Sequence, residues 1–162
     1  MRPILLAFSF FFYSGVALAQ GTPSSAEQSA VLLTPDQVTW SPAPPILPAG
    51  AKMAVLEGDP QKEGPFTIRA SFPNGYRIAP HFHPAVERVT VLQGTFRLGM
   101  GDKFDAAALK SLPVSSFVTM QPGTHHFAQA KGNTVVQING MGPWKLIYVN
   151  PADDPTGGKP TP

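Results

Sequence analysis

The chain contains only four histidines, and they occur as two close pairs. The first pair is His81 and His83, with Glu87 four residues later, and the second pair is His125 and His126. Imidazole nitrogens and carboxylate oxygens suit divalent transition metals such as Fe, Mn, Ni, Cu and Zn. Because the chain has no cysteine, thiolate is not among the available ligands. The residues therefore predict a metal site built from N and O ligands.

Strand geometry is expected to bring these ligands together. Side chains along a strand alternate between its two faces, so His81, His83 and Glu87, all at odd positions, would share one face of a regular strand. His125 and His126 are neighbours, so only one of them can face the metal without distortion. Spacing alone leaves the choice between these two open.

Short strand-like runs separated by turn residues occupy most of the chain. Glycine, proline, asparagine and aspartate fill separators such as 58–60, 73–75 and 131–133. Many short strands with frequent turns, and no internal repeat, predict an all-β antiparallel sandwich or a single closed barrel. The predicted strands are 51–57, 66–72, 76–80, 85–92, 95–100, 116–121, 126–130, 134–139 and 144–149, and only 105–112 is expected to be helical.

Three residues are candidates for substrate binding. Arg69 lies on the opposite face of its strand from Phe66, Ile68, Ala70 and Phe72, and arginine can grip a carboxylate through two hydrogen bonds. A solvated or interface arginine is the simpler interpretation. Gln137 and His125 are the other candidates. Gln137 and Thr90 are also expected to bond the second nitrogen of a ligand imidazole.

Large apolar residues are expected to fill the barrel rather than to form a substrate pocket, because small barrels are packed with side chains. The predicted core includes Phe96, Phe117, Met120, Phe127 and Ile138.

The first histidine segment resembles the first motif of the cupin superfamily. Every fixed position of that motif is matched over twenty residues, by Gly75, His81, His83, Glu87 and Gly94. Such a match is highly specific for this superfamily.

The second cupin motif is matched in part, by Pro122, Gly123 and His126. Three positions depart from it: Ser115 replaces a leading glycine, Gln121 a proline and Ala130 a closing asparagine. These departures concern turns and strand packing more than metal ligation.

The resemblance covers roughly residues 51–149 and implies an all-β fold, a single cupin jelly-roll barrel of antiparallel strands. It implies one divalent transition metal, held by His81, His83, Glu87 and His126. It also implies a metal-dependent oxidoreductase of dioxygenase type acting on a small organic molecule. The alternative is a cupin module that binds a metal or small ligand without catalysis. Dimers are common among cupins, so a homodimer is a further expectation.

Residues 1–19 have the pattern of a secretory signal peptide. Arg2 precedes an apolar block, and Ala17, Leu18 and Ala19 form a small-residue cleavage site. Cleavage after Ala19 would leave a periplasmic or secreted protein of 143 residues with no membrane span. Only 14% of residues are charged and none of the lysines and arginines cluster, which argues against nucleic acid as a partner and leaves a small molecule.

The remaining segments flank the barrel, which is expected to span 51–150. Residues 20–50 are predicted to form a flexible leader followed by a proline-rich arm, and residues 151–162 a flexible tail. The arm contains Trp40, Ile46 and Leu47, which should be buried either on the chain's own barrel or on a neighbouring subunit.

Overall fold

The computed structural model of the protein describes residues 30–157. The predicted signal peptide 1–19, the leader up to residue 29 and the end of the tail, 158–162, lie outside the described residues. The chain divides into two units, 1–30 and 31–162, and the fold is that of the second unit. No helix within the described range is long and apolar enough to cross a membrane.

Between residues 30 and 157, nine antiparallel strands form one curled sheet, and two short 3-10 helices flank it. The strands are β1 Ser41–Pro42, β2 Lys52–Glu57, β3 Gly64–Phe72, β4 Arg77–Phe82, β5 Glu87–Met100, β6 Lys110–Leu112, β7 Phe117–Met120, β8 His126–Gly142 and β9 Ile147–Tyr148. The 3-10 helices are Pro35–Gln37 and Pro151–Asp153, the second at the start of the predicted tail. The expected all-β architecture is confirmed.

The two long strands, β5 and β8, close the barrel. β8 pairs with β3 along one half, with β4 along the other half, and with β5 over most of its length. β5 also pairs with β6 and β7, while β1 and β2 extend the sheet beyond β3 and β9 pairs with β4. Because β8 pairs with both β4 and β5, it holds together the strands that carry the candidate metal ligands.

Two predicted strand breaks do not exist. The predicted strands 85–92 and 95–100 merge into the single strand β5, which begins at Glu87, and 126–130 and 134–139 both belong to β8. Gly94 does not end a strand; with a φ of +70° it sits at an irregularity of the pairing between β5 and β8. A side chain there would meet the backbone oxygen of Asn133 at 2.5 Å, so the position requires glycine.

The predicted helix 105–112 is wrong. Residues 105–108 form only a turn, in which the carboxylate of Asp105 accepts a hydrogen bond from the backbone N–H of Ala107 at 2.8 Å. Residues Lys110–Leu112 then pair as β6 with β5. Tertiary pairing therefore overrides the helix propensity of the three alanines.

Apolar side chains fill the barrel as the alternation in β3 predicts. Its inward face, Phe66, Ile68, Ala70 and Phe72, is 2–5% exposed. Four of the five other predicted core residues are buried: Phe96, Met120, Phe127 and Ile138. Phe117 is the exception, at 61% exposed. It pairs directly with Thr90, which points away from the inward-facing Val89 and Val91, and directly paired residues share a face.

The proline-rich arm folds onto the chain's own barrel. Ile46 and Leu47 pack against the core, whereas Trp40 stays 37% exposed. The backbone carbonyl of Ile46 accepts a hydrogen bond from the hydroxyl of Tyr148 at 2.8 Å. The carbonyl of Pro48 accepts one from Tyr76 at 2.5 Å. Burial raises the pKa of Tyr76 to about 12, so this hydroxyl remains a donor over the physiological range.

Candidate metal centre

Three strands and one bend carry the histidines and the carboxylate. His81 lies near the end of β4, His83 lies in the bend that follows, and Glu87 begins β5. The expected single regular strand is therefore wrong, because β4 ends at Phe82. His126 begins β8 and pairs directly with His81. Strand pairing, rather than one strand's alternation, brings the two motifs together.

The side chains of these residues converge at one end of the barrel interior. The ligand atoms of His81, His83 and His126 all lie within 4.8 Å of one another. The Glu87 Oε2 atom lies 3.5 Å from His83 Nε2 and 3.4 Å from His126 Nε2. Two atoms that each bind one ion at about 2.1 Å lie roughly 3.0–3.4 Å apart, depending on the angle. The cluster is compatible with a metal ion.

Backbone carbonyls fix the orientation of all three imidazoles. In each ring the Nδ1 atom faces a carbonyl oxygen, which can only accept, so Nδ1 carries the hydrogen and Nε2 keeps its lone pair. These bonds run from His81 to Ala79 (2.7 Å), from His83 to Lys145 (2.7 Å) and from His126 to Thr124 (2.9 Å).

The partners expected for these nitrogens, Gln137 and Thr90, do not provide them. Both residues lie on strands whose neighbouring positions face inward, so their side chains point to the outside of the barrel. The Nδ1 partners are instead backbone atoms of the bends beside the histidines, which no side-chain pattern reveals.

Burial favours the neutral form of two of the imidazoles, those of His81 and His83. It lowers the pKa of His81 well below the ordinary value of 6.5, and the neighbouring His126 and His83 lower it further. Burial also lowers the pKa of His83, against the opposing effect of Glu87. Neutral imidazole is the form that binds a metal.

Two buried atoms of the cluster have no hydrogen-bond partner among the described residues: His83 Nε2 and Glu87 Oε2. Both are acceptors, and leaving a buried acceptor unpaired costs about 1–3 kcal/mol. A cation between them would satisfy both at once. The donor set, neutral imidazoles with one carboxylate, therefore fits a divalent transition metal.

A cavity of about 550 Å³ extends from this cluster. His81, His83 and Glu87 line it, and most of its wall is apolar. Trp144 forms part of the wall and stacks on His83, with ring centroids 4.1 Å apart and planes at 11°. The proline-rich arm supplies another part of the wall through Ile46 and Leu47.

The predicted substrate-binding residues lie elsewhere. Arg69 donates from Nε to Gln137 Oε1 at 3.2 Å, and this half-buried pair lies on the outer face of β3 and β8. His125 bonds Asp102 at 2.6 Å and stacks on Phe82. None of the three candidates lines the cavity, so we do not carry their substrate-binding interpretation further.

Sequence reasoning missed the residues that shape the cavity. Trp144, Lys52 and Lys145 all line the cavity, and none of them is among the candidate site residues predicted from the sequence. These residues come from β2 and from the loop before β9, and they meet only through the closure of the barrel. The one available signal was Trp144 in the turn-rich segment after a long strand, since a large aromatic side chain there needs a surface to cover.

Comparison with known proteins agrees with this architecture. The profile of a family described as the ChrR cupin-like domain matches residues 28–137. No curated protein matches the sequence. The polyketide cyclase RemF from Streptomyces resistomycificus superposes with a TM-score of 0.61 at 14% identity, over 78% of this chain and 90% of that chain.

Two further solved structures are similar. A candidate acetylacetone dioxygenase from Methylibium petroleiphilum has a TM-score of 0.59 at 20% identity, over 78% of this chain and 85% of that chain. An RmlC-like cupin from Shewanella frigidimarina has a TM-score of 0.54 at 16% identity, over 70% of this chain and 91% of that chain. At these identities the likeness shows the fold, and it confirms the expected jelly-roll barrel.

Proposed function

The chain belongs to the family of ChrR cupin-like domains, and we propose that it is a metal-dependent oxidoreductase of dioxygenase type that acts on a small organic molecule. The observation that carries the proposal is the cluster of three histidines and Glu87 at one end of a cavity large enough for a ligand, with two buried acceptors that have no partner among residues 30–157. A divalent transition metal held there would supply Lewis-acid and redox chemistry.

The chain's own residues would bind the reactant and exclude water. Apolar walls surround the space next to His81, His83 and Glu87, and Trp144 covers one face of His83. Glu87 is the only acidic side chain that lines the cavity within residues 30–157. If Glu87 binds the metal, the wall supplies no second carboxylate for acid–base work. This favours chemistry supplied by the metal over hydrolysis or isomerisation.

The solved structures are consistent with this reaction class. One of them is a candidate dioxygenase for acetylacetone and another is a polyketide cyclase, and both share the fold of this chain. Because the identities are 20% and 14%, they suggest small organic molecules as reactants without specifying one.

Oxygen consumption tests the proposal. Protein reconstituted with Fe(II) is incubated with a panel of dicarbonyl, phenolic and thiol compounds in an oxygen electrode. We expect at least one compound to drive oxygen uptake, and we expect His83→Ala to abolish it. His125→Ala, a histidine outside the cluster, should retain it.

The competing function is a cupin module that binds a metal or ligand without catalysis. No oxygen uptake across the panel, combined with a rise in melting temperature on adding one of the compounds, would establish the binding module and contradict the oxidoreductase.

We also propose that the protein works outside the cytoplasm. The support is the signal-peptide pattern of residues 1–19. The intact mass of protein isolated from its native cells should correspond to a chain that begins at Gln20. A mass that includes Met1 to Ala19, in protein from the cytoplasmic fraction, would contradict it.

A further inference from the structure

The cavity wall carries two positive side chains besides the histidine cluster. Lys52, from β2, and Lys145, from the loop before β9, both line it. Within the described part of the chain, Glu87 is the only negative side chain on the same wall. The wall is therefore net positive even before a divalent cation is counted, and it is complementary to an anion.

Both lysines are largely exposed, so their ammonium groups belong to the solvent side of the cavity. The buried part of the wall is apolar and includes Ile68, Phe72 and Ile138. A carboxylate costs several kcal/mol to bury in such surroundings, but little at a wet rim beside a cation. The distribution suits a molecule with an apolar body and one charged end.

The loop before β9 ties the rim of the cavity to the histidine cluster. Trp144 and Lys145 are neighbours in sequence and both line the cavity. The backbone carbonyl of Lys145 accepts a hydrogen bond from His83 Nδ1 at 2.7 Å. The loop therefore places a cation at the rim and supports one imidazole of the cluster.

The volume agrees with such a ligand. Sites for small molecules occupy roughly 300–1,000 Å³ and are mostly apolar with a few placed polar groups. The cavity of about 550 Å³ falls within this range.

We infer that the cavity binds an amphipathic monoanion, a carboxylate with an aliphatic or aromatic body, with the body against the apolar wall and the carboxylate at the rim beside Lys52 and Lys145. The inference rests on the proposed function for the role of the cavity as the substrate site. It does not depend on oxygen being the co-reactant.

Calorimetric titration of the zinc-loaded full chain tests the charge preference, because zinc holds the site without redox chemistry. The probes are octanoate, octanol and octylamine, which share one alkyl body. We expect octanoate to bind about tenfold more tightly than octanol, and octylamine to bind most weakly. Raising the salt concentration should reduce the preference for octanoate.

Charge-removing variants assign the preference to the two lysines. The double variant Lys52→Gln, Lys145→Gln should lose about tenfold in octanoate affinity and keep its octanol affinity within about twofold. It leaves the Lys145 carbonyl that bonds His83 in place. The matched control is Lys110→Gln with Lys131→Gln, which removes the same charge from exposed residues that do not line the cavity. The control should bind like the unmodified chain.

Three outcomes decide the inference. Equal affinity for octanoate and octanol overturns it. A preference that survives in the cavity double variant, but disappears when the metal is removed, also overturns it, because the carboxylate then binds the metal. A preference that disappears with the two lysines supports it. If the unmodified chain reconstituted with Fe(II) consumes no oxygen with any panel compound, the oxidoreductase fails while the inference stands.

Discussion

Ser115 is the one residue other than glycine in the range 30–157 with a positive φ, at 71°. It stands where the second cupin motif has a glycine, so the departure noted in the sequence has a structural cost. A side chain in this left-handed conformation costs roughly 1–2 kcal/mol. The backbone N–H of Ser115 donates to Val91 at 2.9 Å, so the turn keeps its shape despite the serine.

Replacing this serine should stabilise the protein. Ser115→Gly is expected to raise the free energy of unfolding by about 0.5–1 kcal/mol, because the relief of strain exceeds the added chain entropy. Ser116→Gly is the matched control, since its φ is not positive, and it should be neutral or destabilising. Urea unfolding measures both. A stabilisation that is equal in the two variants would show that φ is not the cause.

The buried histidines predict how the metal-free protein responds to acid. Burial places the folded-state pKa values of His81 and His83 below 6.5. As the pH falls, the unfolded chain therefore binds more protons at these two residues than the folded chain does. The free energy of unfolding should therefore be steady above pH 6.5 and fall as the pH drops to 5. The slope can reach about 1.4 kcal/mol per pH unit for each imidazole.

Urea unfolding in a chelating buffer measures this slope. His81→Gln removes one of the two groups, so its stability should fall less steeply over the same pH range. An identical slope in the variant and the unmodified chain would mean that His81 does not resist protonation.

At the scale of single residues, the sequence predicts well which side chains form the cluster of histidines and Glu87. The two motifs identify four residues that the structure gathers, and the alternation of neighbours separates His126, at 2% exposed, from His125. The environment of these residues is less predictable. Their carbonyl partners and the stacked Trp144 follow from how bends and loops meet, which depends on contacts far apart in the chain.

At the scale of elements, the proline-rich arm is fastened by two tyrosine hydroxyls. Tyr148 and Tyr76 donate to the carbonyls of Ile46 and Pro48, and Ile46 lines the cavity. The arm is thus part of the site's wall rather than a free extension. The sequence predicted that Ile46 and Leu47 need a surface but left open whether that surface belonged to the chain or to a second copy.

Removing the hydrogen bond from Tyr148 should loosen the arm. Tyr148→Phe is expected to lower the free energy of unfolding by about 0.5–1.5 kcal/mol and to speed hydrogen exchange of residues 46 and 47. Exchange at β5, on the other side of the barrel, serves as the internal control. Uniform acceleration throughout the barrel, or none at the arm, would contradict the fastening role.

Strands were predictable in kind but not in length. Alternation in β3 gives the inward face correctly, because one face of the sheet covers the core. The predicted strand boundary at Gly94 is wrong, because this glycine, which is typical of a turn, lies inside β5. The predicted helix 105–112 is also wrong, because residues 110–112 pair with β5 despite the local helix propensity. In both cases the deciding interaction is with a partner strand distant in sequence.

At the scale of the whole molecule, the barrel places the cluster of histidines and Glu87 at one end of a cavity. Parts of the chain far apart in sequence contribute to that cavity, among them the arm, β2, β3, the segment from His81 to Glu87, β8 and the loop before β9. No linear motif encodes such a space, which explains why the sequence points to the candidate metal ligands but not to the cavity. The homodimer suggested by the resemblance stays a prediction.

The central claim is that His81, His83, Glu87 and His126 hold one metal ion. Elemental analysis of protein purified from native cells without added metal tests it most directly. We predict about one divalent transition metal per chain. Glu87→Gln and His83→Ala should each reduce this content severalfold, while His125→Ala should retain it. Metal-free protein that stays metal-free after reconstitution, or full metal content in His83→Ala, would contradict the account.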